Sequence, residues 1–225
     1  YGLGLLSDQT SGFNRGMNGL GYGFRENDQV NFINPASYSA FDSLTFVFDA
    51  GVSGQLTNFA ENGKKKNAKN ADLEYVVAGL RLAKHLGLSF GLVPFTNVGY
   101  NYAHTSTVNV DENYAKTTAT NTYAGNGGLH QVYLGTGWAP FKGVSLGANI
   151  SYLWGELNRS VVNSYNDQSV NTISKYYTAS VKNYKLDLGL QYTAQLSKKD
   201  QVTLGAVYSL GHKLGADPTL DVISR

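Results

Sequence analysis

Residues 144–154 read VSLGANISYLW. Val144, Leu146, Ala148, Ile150, Tyr152 and Trp154 fall on one face of an extended chain. Ser145, Gly147, Asn149, Ser151 and Leu153 fall on the other, because successive side chains of a strand point to opposite faces. The alternation runs through eleven residues. A strand of a soluble sandwich has about five or six residues, whereas a tilted strand that crosses a bilayer needs about 9–11. The stretch therefore predicts a strand of membrane-crossing length with one apolar face.

The pattern recurs on either side. In 184–196, Tyr184, Leu186, Leu188, Leu190, Tyr192 and Leu196 oppose Lys185, Asp187, Gly189, Gln191, Thr193 and Gln195. In 202–210 the apolar face is Val202, Leu204, Ala206, Tyr208 and Leu210, and in 44–52 it is Leu44, Phe46, Phe48, Ala50 and Val52. Tyr or Trp near the ends of several faces suits an amphipathic ring at headgroup level. The spacing predicts seven strands, at about 44–57, 71–84, 87–107, 128–140, 143–159, 173–197 and 201–213.

Short turns at 84–87, 140–143 and 197–201 alternate with long polar connections at 58–70, 108–127 and 160–171. An outer-membrane barrel has this asymmetry, with short periplasmic turns and long extracellular loops. The basic run Gly63-Lys64-Lys65-Lys66-Asn67-Ala68-Lys69 reads as a solvated part of the first such loop, without the interleaved aromatics of a nucleic-acid site. Seven strands is odd, and single-chain bacterial barrels close with an even number. The tail 215–225 reads as another long loop, so the chain is expected to be the N-terminal half of a larger barrel.

Bulk properties agree with an all-β, antiparallel transmembrane β-barrel in the bacterial outer membrane. Charged residues are 15% and aromatics 12%, with 26 Gly and 16 Tyr, a mixture rich in strand and turn formers. A net charge of +2 is too mild to imply nucleic acid. Mean hydropathy of -0.26 does not exclude a membrane barrel, whose lipid-facing and lumen-facing residues average out. There is no apolar run of about 18 residues to make a transmembrane helix. Cysteine is absent, which removes disulfides, thiolate metal sites and a Cys nucleophile. The start at Tyr1 without Met or a signal-peptide pattern reads as a mature or trimmed chain.

Ahead of the first predicted strand lies NRGMNGLGYGFRENDQVNFINPASYSAFDSLTFVFDAGVSG, residues 14–54. It resembles the start of the FadL/TodX family of outer-membrane transporters for long-chain fatty acids and other hydrophobic compounds. The matching residues are Gly16, Met17, Gly19, Gly21, Asn34, Pro35 and Ala36. The resemblance implies a fourteen-stranded barrel with an N-terminal hatch of about forty residues inside the lumen. Residues 1–43 would be hatch and 44–225 wall. Gly lets the backbone pack closely, and the fixed φ of Pro35 stiffens the segment.

Pro94 falls in the third predicted strand, where a proline removes a ladder donor and belongs at a bulge, an edge or a break. In the family this strand carries an inward kink that opens the wall beside the fourth. The resemblance therefore implies a lateral opening at Pro94, Phe95, Thr96 and Asn97, and passive uptake of a hydrophobic ligand such as a fatty acid, which leaves towards outer-membrane lipid. Few apolar residues, Val47, Phe95, Leu153 and Val207, face the predicted lumen. That polar lumen supports an alternative, a FadL-like barrel serving as a structural or assembly partner of other envelope proteins.

Catalytic and metal chemistry finds no pattern. His85, His104, His130 and His212 are far apart without ligand spacing, and no nucleophile elbow or phosphate loop is present. Asp49, Lys185 and Asp187 are inward charges of the kind that pair across a water-filled lumen or with a plug. No enzymatic activity, metal or cofactor is expected.

Overall fold

Where one face of an extended chain is apolar and the other small and polar, the backbone settles into a sheet that turns the first face out and covers the second. A computed structural model shows this arrangement, and it describes residues 3–43, 45–61, 63–108, 117–167, 169–211 and 213–225. Leu44, His212 and residues 109–116 of the second long connection lie outside the described residues.

The elements are β1 (Leu5–Leu6), α1 (Gly12–Gly16), a 3-10 helix (Pro35–Ala40), β2 (Phe46–Glu61), β3 (Lys64–Ala83), β4 (Leu86–Val108), β5 (Thr117–Phe141), β6 (Val144–Tyr165), β7 (Ile173–Gln195), β8 (Gln201–Ser209) and β9 (Ala216–Ser224). Strands β2 to β8 follow one another in space as in sequence, every neighbouring pair antiparallel. The sheet curls into a half-barrel with β2 at one edge. At the other edge β8 and β9 lie end to end along β7, β8 opposite Asp187–Gln195 and β9 opposite Ile173–Val181. Together they occupy one strand position.

Burial follows the period of two. On β6, Ile150 is 58% exposed on the convex face while Leu153 is 2% exposed on the concave one. Trp138, Tyr152, Leu188, Leu190 and Leu204 share the exposed convex face, and Tyr133, Asn149, Ser151 and Gln191 the buried concave face. Residues 30–41 are what covers it. Val30, Phe32, Tyr38 and Phe41 pack with Tyr75, Val77, Val93 and Tyr133 of the wall into one apolar cluster, each side chain contributing about 1.5–3 kcal/mol on burial.

Four stretches expected as loops are strand. Residues 58–61 and 64–70 pair in register, Asn58 with Asn67 and Ala60 with Lys65, so most of the basic run lies in β3 after a turn at Gly63. Residues 117–127 belong to β5 and 160–165 to β6, and 216–224 form β9. The physical reason is common to all. Hydrophobic alternation reports a strand with one covered face, and these segments have no deeply buried stripe. Backbone pairing alone extends the ladders here, and it leaves no mark in the apolar pattern.

The ladder between β3 and β4 is short. It runs from Ala83↔Leu86 to Val76↔Leu92 and stops, while β4 continues to pair with β5 as far as Val108. Beyond Leu92 the strands part, and β1 lies against β4 in the fork, Leu5 opposite Asn97 and Leu6 opposite Thr96. The chain has no cysteine, so this pairing is open to a background-free check. Oxidation should join Leu5→Cys to Asn97→Cys, whose Cα atoms are ladder partners, and should leave Leu5→Cys with Tyr102→Cys unjoined. Mass spectrometry of the trapped protein reads the result.

Candidate functional site

The concave face and the segment seated in it form the most elaborated part of the molecule. Asn34 begins the seat. Its Oδ1 accepts from the Ala36 N–H at 3.1 Å, capping the 3-10 helix that Pro35 starts. Its Nδ2 donates to Tyr22 O at 2.7 Å and to Leu190 O of β7 at 3.2 Å. One amide therefore closes the turn, ties it to the preceding loop and fixes both to the wall.

Beneath the turn, four glycines are consecutive ladder partners across four strands: Gly87 of β4, Gly137 of β5, Gly147 of β6 and Gly189 of β7. A Cβ at Gly147 would stand 2.3 Å from Pro35 C and 2.4 Å from Ala36 N. One at Gly87 would stand 1.9 Å from Tyr38 O, one at Gly137 2.4 Å from Pro35 O, and one at Gly189 2.2 Å from Asn34 Oδ1. The row is a floor without side chains, on which the Asn34–Tyr38 backbone lies directly against the sheet.

Several polar groups sealed by this contact are bonded across it. Gln191, fully buried on β7, donates through Nε2 to Tyr22 O at 3.0 Å and Phe24 O at 2.9 Å. The Arg25 guanidinium donates to Ala36 O at 3.1 Å, Ser39 Oγ at 3.0 Å and Gln191 Oε1 at 3.3 Å. Burial lowers its pKa from the ordinary value, yet a guanidinium keeps its charge in proteins, and the three oxygens offset part of its desolvation. Asn149 Nδ2 donates to Phe32 O at 3.1 Å, and Asn31 Nδ2 to Gly21 O at 2.6 Å. Burial also raises the pKa of Tyr38, keeping its phenol neutral.

The earlier part of the segment is held to β3, and through Tyr75 to β2. Arg15 pairs with Glu74 at 2.8 Å and Asp8 at 3.4 Å, and stands 5.8 Å from the centre of the Tyr75 ring. Gly12 N donates to Tyr75 Oη at 2.6 Å, and Tyr75 Oη donates to Asp49 Oδ2 at 3.0 Å. Lys185 pairs with Asp187 at 2.8 Å on β7, and Ser209 Oγ donates to the same carboxylate. The three inward charges singled out in the sequence thus bond to their neighbours in the wall. A cavity of about 440 Å3 remains between segment and wall, with Gln9, Phe32, Phe95, Gln131, Lys185 and Asp187 in its lining. Among the described residues no cluster of three His, Cys, Asp or Glu side chains could hold a metal.

The glycine-motif residues have unequal roles. Gly19 has φ +78°, in the left-handed region, and a Cβ at Gly21 would meet Ile33 and Asn14 side chains at 2.6 and 2.8 Å. Gly16 has open space around it, and Met17 ends α1 with its N–H directed at Arg15 O and Asn14 O. Asn34, Pro35 and Ala36 are the seat itself.

Pro94, Phe95, Thr96 and Asn97 come together at a bulge. The β4–β5 ladder passes from Pro94↔His130 to Thr96↔Leu129 with Phe95 left over, and Thr96 Oγ1 accepts from Leu129 N at 3.2 Å. The expected loss of pairing between these two strands is therefore corrected. A bulge absorbs the missing donor of Pro94 in one residue, and the parting of strands occurs on the opposite edge of β4. There Gln9 Nε2 donates to Pro94 O at 2.7 Å and Ser7 N to Phe95 O at 2.9 Å.

Sequence reasoning missed the glycine row, Gln191, Arg25 and β1. A signal for the row was present, since Gly147 and Gly189 sit in inward phase within their strands. The test of the seat is Gly147→Val, which pushes a side chain into peptide backbone that has nowhere to go. It should free residues 1–43 to limited proteolysis and cost about 1–3 kcal/mol or more in thermal or denaturant unfolding. Gly54→Val, with no atom within 4 Å of its Cβ position, should leave both unchanged.

The family whose model matches the chain is BamG, over residues 1–224. No curated protein and no solved structure matches it. The family match overturns the FadL/TodX resemblance, and the physical reason lies in what the shared residues do. Gly19 and Gly21 shape and pack the segment itself, and Asn34 and Pro35 seat it on the strand wall. A packing motif carries no information about what a protein transports. This chain, with its antiparallel half-barrel and its filled concave face, belongs to the BamG family, a family related to the BAM complex.

Proposed function

We propose that the chain is a membrane-embedded structural partner in an outer-membrane assembly complex, with its sheet as part of a transmembrane barrel wall and residues 1–43 as a plug on the luminal side. The family match over residues 1–224 is the observation that carries the reading. Supporting it, the convex face bears a continuous apolar band through Phe90, Val132, Leu134, Trp138, Leu146, Ile150, Tyr152, Leu188, Leu190 and Leu204. On β6 the band runs from Val144 to Trp154, which at about 3.3 Å per residue and a tilt of about 35–45° matches an apolar girdle about 25 Å tall. The filled concave face and the ion-paired, amide-rich cavity suit a rigid body better than a passage for an apolar molecule.

The strands outrun the band. β5 has 25 residues and β7 has 23, so the side of the long connections projects a polar wall well past the bilayer, available to other envelope proteins. The two edges of the half-barrel, β2 and β8–β9, run in the same direction, because seven strand positions alternate between them. An unpaired edge is not tolerated in hydrocarbon. A second copy related by a two-fold along the barrel axis would bring these edges together parallel. Antiparallel closure instead takes an odd number of further strands.

Isolation of the affinity-tagged protein from native envelopes in mild detergent should bring down other envelope proteins in stoichiometric amounts. Recovery of the chain alone, also after cross-linking in intact cells, overturns the assembly role. The plug is tested separately. Deletion of residues 1–43 from the native protein should raise single-channel conductance in planar bilayers, and unchanged conductance counts against a luminal plug.

A further inference from the structure

Where a sheet divides, backbone groups that a neighbour would have satisfied are left along both arms. Among the described residues, β3 has no ladder partner on its β4 side from Lys64 to Tyr75. β4 has only Leu5 and Leu6 on its β3 side beyond Leu92, with the Ser7 N to Phe95 O bond continuing that contact. The fork opens at the rim of the apolar band. Pro94, the second residue past it, is in register with His130, His130 with Trp154, and Trp154 with Lys182. Water and polar groups reach this level, so the open arms are tolerated in the free protein and are at the same time templates for pairing.

Strand direction limits what fits. β3 and β1 are both antiparallel to β4, so they are parallel to each other. One strand between them, running opposite to both, would be antiparallel on both sides. Without β1, a single strand in the fork would be forced parallel to one arm. The chain's own N-terminal strand thus converts a mismatched opening into a slot for one extended segment, and its seating on β4 shows that this edge accepts an added strand.

The surroundings select the chemistry of the occupant. A cavity of about 620 Å3 at the fork has Ser7, Asp72, Glu74, Asn97, Trp154 and Glu156 in its lining, and carries three carboxylates with no Lys or Arg. Arg15 offsets Glu74 from the luminal side at 2.8 Å. Leu5 and Leu6 at 74% and 66% exposure, with Leu73 at 48%, give apolar contact beside the acids.

Resting on the assembly role above, we propose that the slot between β1 and β3 binds one extended segment of an envelope protein, a segment with alternating apolar and basic residues, by strand addition. Main-chain hydrogen bonds to the open arms supply affinity, and the leucines and carboxylates supply choice. A bound strand would bring the two arms into one sheet.

The test places p-benzoylphenylalanine at Leu73, at Leu6, or at Leu146 in the band, in the full protein in intact cells. Irradiation should join Leu73 and Leu6 to the same Lys- or Arg-containing segment of a co-purifying envelope protein, with adducts at alternate residues, and should not do so from Leu146. Asp72→Lys with Glu156→Lys should lower adduct yield about tenfold. If that variant does not assemble, Asp72→Asn with Glu156→Gln must lower it instead. Adducts only to lipid, only to a second copy of this chain, or unchanged by both charge variants overturn the proposal. Absence of protein adducts from a complex that still co-purifies overturns the slot and leaves the assembly role standing. Absence of any co-purifying envelope protein removes the assembly role and the slot with it.

Discussion

A row of four glycines decides how close the N-terminal segment comes to the sheet. Gly87, Gly137, Gly147 and Gly189 remove side chains from adjacent positions on four strands, and backbone takes the vacated space. At that distance the Asn34 amide reaches a wall carbonyl, Gln191 reaches two carbonyls of the segment, and Tyr38 and Phe41 drop into the apolar cluster. With any Cβ in the row the segment would ride higher, and the buried polar groups would lose their partners at about 1–3 kcal/mol each. The seat is therefore a single cooperative contact.

That contact also explains how a curved sheet with so few large inward side chains holds its shape. The concave face is mostly Gly, Ser, Asn and Gln, which bury little apolar area of their own. The segment brings the aromatic and aliphatic groups, Val30, Phe32, Tyr38 and Phe41, and the wall supplies matching hydrogen bonds. Filling from outside the sheet leaves the convex face free to be largely apolar. The division of labour suits a rigid body whose outer surface meets lipid or protein, in keeping with membership of the BamG family.

Rigidity ends at the fork. Below Leu92, β3 and β4 share a ladder, and above it β3 has β2 alone while β4 has β5 on one edge and only the short β1 on the other. Arg15–Glu74 and Gly12–Tyr75 hold the segment to one arm, while Gln9, Ser7 and β1 hold it to the other. The same thirty or so N-terminal residues that complete the core thus also bridge the break in the wall. An all-antiparallel sheet tolerates such a break where water is at hand, and the break is where the sheet keeps its capacity to pair.

Alternation in 144–154 and 184–196 determined by itself that these residues are strands, which face is apolar and which is not, since a period of two has only one structural meaning at that length. The Asn-Pro pair determined a stiff turn before the wall. Three things only the tertiary structure decided. The polar ends of β2–β3, β5 and β6, together with β9, pair through backbone, which carries no side-chain signature. The glycine row exists only once strands distant in sequence are placed in register. The bulge at Phe95 moves the separation expected beside β5 to the other edge of β4, a choice set by which neighbour each arm meets. Cargo was never legible at Gly19, Gly21, Asn34 or Pro35, because those residues answer to turn geometry and close packing, and that physics is the same whatever the barrel is for.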